Sequence, residues 1–197
     1  MSRSRRVLGL DPGLQTTGYG LLESSPSGIR VAEAGVIRTA TASDPERGDL
    51  AVRLKTLYDG LVEVLEQWQP SAIAVEQLYA HVEHPRTAIL MGHARGCLFL
   101  AGAQQNIPVF SYPSTRVKKT ITGHGRASKE QMQAAITREL KLAKPPQPHD
   151  VADALAIALC HCFATGVAAH GNLNAIYTGV NLKKLLGDDG PESGEGV

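Results

Sequence analysis

The chain has 197 residues, 43% of them hydrophobic, and a formal net charge of +1. That length suits one domain, and that apolar content can build a core without disulfides or a structural metal. No stretch reaches the ~18 apolar residues that a membrane span requires, and the basic start runs into an apolar segment too short for a secretion signal. A cytoplasmic protein with no membrane partner is therefore expected. Cys97 stands alone, and Cys160 and Cys162 lack a CxxC spacing, which argues against a disulfide framework and a zinc site.

Arg6–Leu10 reads as a first strand, closed by the turn Asp11-Pro12-Gly13. Gly18–Leu22 resumes, Ser24–Gly28 reads as a hairpin turn, and Arg30–Ile37 alternates as a third strand. The three form an expected antiparallel meander. From Pro45 to Trp68, Leu50, Leu54, Leu57, Leu61 and Leu65 recur at helical spacing. Ala72–Val75 is a short buried strand ending at Glu76. Pro85 to Gln105 reads as a second helix, interrupted by Gly92, Gly96 and Gly102, small residues that admit a neighbouring helix or a partner chain. Ile107–Tyr112 is a fifth strand.

Ser114 is the expected N-cap of a short basic helix reaching Ile121, and Gly123-His124-Gly125 a turn. Ser128, with Gln131 three residues on, has the pattern of a capping box, opening a helix to about Leu140. Pro145, Pro146 and Pro148 impose an extended connector. A last helix starts near His149 or Asp150 and ends near Ala164. Residues 1–170 are thus expected as one domain, and 171–197 as a largely disordered tail. The element order predicts an α/β fold, a mixed five-stranded sheet with helices on both faces.

The charge is unevenly spread. Arg116, Lys118, Lys119, Arg126, Lys129, Arg138, Lys141 and Lys144 face only Glu130 and Glu139 across residues 116–144, a local charge of +6. A basic stretch of this kind suits a polyanion such as nucleic acid, although it also suits a solvated helical surface.

Four acids carry the chemical argument. Asp11 and Glu76 each close a strand. If those strands are adjacent and parallel, both carboxylates emerge at the sheet end where ligands bind in open α/β sheets. Asp150 and Asp153, three residues apart in the first turn of a helix, share one face. Each acid alone has an ordinary explanation as a turn former or a helix cap. Glu76, between Ala72-Ile73-Ala74-Val75 and Leu78, is harder to dismiss, because a charge beside the core needs a partner or a metal. Clustered carboxylates are the donors that hard Mg²⁺ or Mn²⁺ prefers, and two such ions can drive phosphodiester hydrolysis.

Five segments in order, LGLDPGLQTTGYG (8–20), AIAVEQLYA (72–80), MGHARG (91–96), YPSTRVKKTITGHGRASKEQM (112–132) and HDVADALAIALCHC (149–162), resemble RuvC-type Holliday junction resolvases, the crossover junction endodeoxyribonucleases. The resemblance implies a ribonuclease H-like fold and a homodimer that nicks a four-way DNA junction symmetrically. It implies metal-binding, catalytic acids at Asp11, Glu76, Asp150 and Asp153 that hold two Mg²⁺ or Mn²⁺ ions per site, and DNA contacts at Lys118 and Lys129. Arg116, Lys119 and Arg126 join the DNA-binding set by proximity. Tyr79 falls where the family places an aromatic ring near the junction centre, and such a ring stacks on unpaired bases. His149 and Arg86 are accessory candidates. Partnership with the RuvA–RuvB branch-migration complex follows from the same resemblance. Three rivals stand beside it: an actin or sugar-kinase type ATPase, a non-catalytic junction-binding module, and a nuclease of this fold acting on RNA–DNA hybrids.

Overall fold

A computed structural model describes residues 5–39, 49–77 and 85–166. Its first strand, β1 (Arg5–Asp11), pairs antiparallel with β2 (Thr16–Ser25), which pairs antiparallel with β3 (Gly28–Arg38). β2 and β3 run past the expected Gly18–Leu22 and Arg30–Ile37, into the expected turn Ser24–Gly28. Ser24 and Ser25 pair with Ile29 and Gly28, leaving only Pro26 and Ser27 in the turn. Gly28 makes this tightness possible, because its φ of 122° is one that side chains oppose.

On its other edge β1 pairs parallel with β4 (Ala72–Glu76), and β4 pairs parallel with β5 (Val109–Tyr112). The order β3-β2-β1-β4-β5 gives the expected mixed five-stranded sheet. The period-two alternation of strands sends side chains to two cores. On one face Leu8, Leu10, Leu21, Ile73 and Val75 pack against α1 (Leu50–Trp68) and α2 (Pro85–Gln104). On the other, Val7, Leu22 and Ala74 meet α3 (Ser114–Thr122), α4 (Lys129–Glu139) and α5 (His149–Ala164).

Buried along most of its length, α5 lies across β1 and β2 on a shelf of glycines. A Cβ on Gly9 would stand 2.0 Å from the Ala154 carbonyl oxygen and 2.7 Å from the Ala158 nitrogen. One on Gly18 would stand 2.1 Å from the Asp150 carbonyl oxygen, and one on Gly20 2.7 Å from Leu155 Cδ2. Gly9 and Gly20 are direct partners across the β1–β2 ladder, and Asp11 is opposite Gly18. The missing side chains let helix backbone approach strand backbone where any Cβ would hold it away.

Other expected boundaries move as well. The expected helix start at Pro45 gives way to Leu50, because Asp49 has extended backbone and its carboxylate caps the amides of Ala51 and Val52. Ser114 is the first residue of α3, not its cap; that position belongs to Pro113. The fifth strand begins at Val109 because Pro108 lacks an amide hydrogen, while its carbonyl accepts from Ile73. The capping box at Ser128 and Gln131 is present with both its hydrogen bonds. Tyr79 and the tail beyond residue 166 lie outside the described residues.

Candidate active site

The register places the acids. Leu10 of β1 is level with Val75 of β4, so Asp11 and Glu76 follow as neighbours at the carboxyl ends of two parallel strands. Alternation from Gly9 and Ala74, which face α5 and its core, turns both acids toward that same side. The turn after Asp11 is braced by buried Thr17, whose hydroxyl donates to the Gly13 carbonyl at 2.7 Å and accepts from the Gly13 amide at 3.3 Å. The start of α5 brings Asp150, in the first turn, and Asp153. Asp153 lies in the second turn and not, as expected, in the first, because the helix begins at His149. The close approach at Gly18 holds this end against β2.

The four acids share one electrostatic field. Burial first, then the carboxylates of Asp153, Glu76 and Asp150, push Asp11 up to about 7, with Lys129 pulling the other way. Burial also raises Glu76, helped by Asp153 and opposed by Lys118, a hydrogen bond from Ser114 and Arg95. Asp153 is raised by burial and Asp150, against the pull of Lys129, His149 and Lys118. Like charges resist close approach. Among the described residues, no three His, Cys, Asp or Glu side chains form a ready coordination sphere. The donor set is nevertheless all carboxylate oxygen, the chemistry of a hard divalent cation, and such a charge would reverse the mutual repulsion.

The expected basic residues divide by position. Lys118 and Lys129 act electrostatically on the acids from α3 and α4. Arg116 lies over the Tyr112 ring, 5.2 Å from its centroid, and the exposed Lys119 and Arg126 flank the same helix and its following turn. His149, exposed at the start of α5, acts on Asp153. Arg86 is exposed at the start of α2, and no described contact joins it to the acids.

Sequence reading missed three contributors. Ser114, expected as a cap, instead serves Glu76. Arg95, on α2, donates to the Glu76 carbonyl oxygen and to Ser111 Oγ, the latter at 2.7 Å. Its signal was available, because between Arg86 and Arg116 it is the one Lys, Arg, Asp or Glu. Buried His161 meets the Tyr112 hydroxyl through Nδ1 at 2.8 Å and ties α5 to the end of β5. Burial lowers His161 to about 4, so it is neutral near pH 7, and no sequence pattern marks it.

Comparison with known proteins identifies the family. The family model described as Crossover junction endodeoxyribonuclease RuvC matches residues 7–161. A relative of that name from Rhodopirellula baltica is 47% identical over 154 residues, covering 78% of this chain and 84% of the relative. Thermus thermophilus RuvC has a solved structure similar to this one, with a TM-score of 0.72 at 31% identity, covering 83% of this chain and 98% of that one. A second T. thermophilus structure, RuvC in complex with Holliday junction substrate, has the same TM-score at 30% identity and the same coverage. With matched sequence from β1 through α5, and the neighbouring solved fold, the chain belongs to the RuvC family of crossover junction endodeoxyribonucleases, which are metal-dependent nucleases of ribonuclease H-like fold.

Proposed function

We propose that Asp11, Glu76, Asp150 and Asp153 are the catalytic metal ligands of a Holliday junction resolvase acting in DNA recombination and repair. The observation that carries this reading is the convergence of four acids from β1, β4 and α5 in one field at the carboxyl ends of parallel strands. Family membership and a relative solved with junction DNA support the substrate. When bound, two Mg²⁺ or Mn²⁺ ions per site would supply an activated water and stabilise the leaving 3′-oxygen. The chain's own part is to hold the acids and the scissile phosphate in place. Lys118 and Lys129 draw a phosphate toward the acids, while Arg116, Lys119 and Arg126 extend the basic track along the strand. Tyr79 is proposed to stack on a junction base, and Arg86 and His149 to assist at the margin.

The same reading makes the protein a homodimer in the cytoplasm, working with the RuvA–RuvB complex. Support for the dimer comes from α2, where Ile89 is 60% exposed, Leu100 is 53% exposed, and the space before Gly92 and Gly96 is open. Gly102 packs on Val109 and Ile73 of its own sheet. The outward face thus joins apolar side chains to glycines that permit close approach, and a twofold pair matches a twofold substrate.

An end-labelled four-way DNA junction, a linear duplex of the same sequence and an RNA–DNA hybrid should be compared as substrates. Symmetric paired nicks confined to the junction are expected. Preferential cutting of the hybrid would replace this reading with that of a hybrid-specific nuclease.

A further inference from the structure

Glu76 is served from both sides of the sheet. Ser114 approaches its carboxylate, while Arg95 reaches the main chain from α2, on the face opposite α5. The Arg95 guanidinium joins the Glu76 carbonyl to Ser111 Oγ. Ser111 sits on β5, one residue before Tyr112, which is the ladder partner of Glu76. The Gln77 amide then donates to the Tyr112 carbonyl at 2.8 Å. One side chain therefore ties together the ends of two parallel strands, at the point where β4 delivers an acid. Phe99, one helical turn along α2, supports the guanidinium at 4.8 Å. The planar fork of arginine can span two acceptors with little further loss of freedom; the single ammonium of lysine cannot reproduce that geometry.

We propose that Arg95 is a positioning residue, which fixes the end of β4 and so aims Glu76 at the other three acids. This inference rests on the reading of Glu76 as a metal ligand given above. It separates from two simpler roles by sign. If Arg95 acted only as a nearby cation, its removal would tighten cation binding, because one positive charge would leave the field. If it served only general stability, variants would melt earlier while the folded fraction bound metal as before. Positioning predicts weaker binding even when the charge is kept. Groups that orient metal ligands typically affect affinity by about 10–100-fold.

The test is Mn²⁺ binding by titration calorimetry to the parent chain, Arg95→Lys, Arg95→Gln and Ser111→Ala, with thermal unfolding and junction binding in EDTA measured alongside. Arg95→Lys and Arg95→Gln are both expected to weaken Mn²⁺ binding by about tenfold or more and to lower kcat for nicking, with junction affinity in EDTA unchanged. Ser111→Ala, an exposed and conservative change, is expected to lie between them and the parent, and it keeps the test informative if an Arg95 variant fails to fold. Parent-like Mn²⁺ binding in all three variants would overturn the inference, as would tighter binding in Arg95→Gln together with parent-like binding in Arg95→Lys. A parent chain that bound no Mn²⁺ would instead overturn the metal-ligand reading, and this inference with it.

Discussion

Asp11 is held near its neutral form by burial and by three other carboxylates, with its pKa at about 7. Its folded value lies above the ordinary 3.8, so the native state binds the extra proton between those values. Metal-free stability should therefore fall as pH rises from about 4 to about 7. Asp11→Asn removes that penalty. In EDTA at pH 8 the variant should be more stable than the parent by about 2–4 kcal/mol, and the gain should vanish near pH 4; urea unfolding at the two pH values measures both. A variant no more stable than the parent at pH 8 would count against the coupled-acid site. The candidacy of all four acids was legible in sequence, since strand ends and an i, i+3 pair at a helix start place carboxylates predictably. Arg95 and Ser114 were not legible in their roles, because those depend on which strand end lies beside which helix.

At the scale of elements, the glycine shelf sets how closely α5, and with it Asp150 and Asp153, approaches Asp11. Gly9→Ala would drive a methyl against helix backbone, whereas at Gly20 the two nearest obstacles are side-chain atoms of Leu155. Gly9→Ala should cost more than about 3 kcal/mol, and Gly20→Ala about 1–2 kcal/mol, measured by denaturant unfolding. Equal costs would show that the close approach at Gly9 is unimportant. Ser128→Ala removes the capping box and should cost about 1 kcal/mol, without changing nicking at a temperature where the variant remains folded. The sheet and its helices were readable because leucine spacing and strand alternation are local patterns. The shelf was not. In sequence its glycines are scattered members of two strands, and only the pairing of Gly9 with Gly20 beneath α5 gives them a common purpose.

For the whole molecule, the roles proposed for the basic stretch and for the outward face of α2 in engaging DNA can each be tested. Lys119→Ala should weaken junction binding and reduce the steepness of its logarithmic salt dependence by about one unit, as read by fluorescence anisotropy across a salt series; an unchanged slope would remove Lys119 from the phosphate track. Leu100→Glu, on the exposed face of α2, should give a folded monomer in sedimentation equilibrium and uncouple the paired nicks. A dimer surviving that charge would place the interface elsewhere. Net charge concealed the basic stretch, because acids elsewhere nearly cancel it, and it became visible only when the chain was divided.

In the proposed function the four acids perform metal-dependent nicking of a four-way junction. Its most direct test is cleavage of an end-labelled junction in Mg²⁺, in Mn²⁺ and in EDTA by the parent chain and Asp11→Asn. Symmetric nicks by the parent are expected in at least one metal, with none in EDTA and a loss of at least about a hundredfold in Asp11→Asn, junction binding being retained. Tight junction binding by the parent without nicks in either metal, or parent-like nicking by Asp11→Asn, would contradict it.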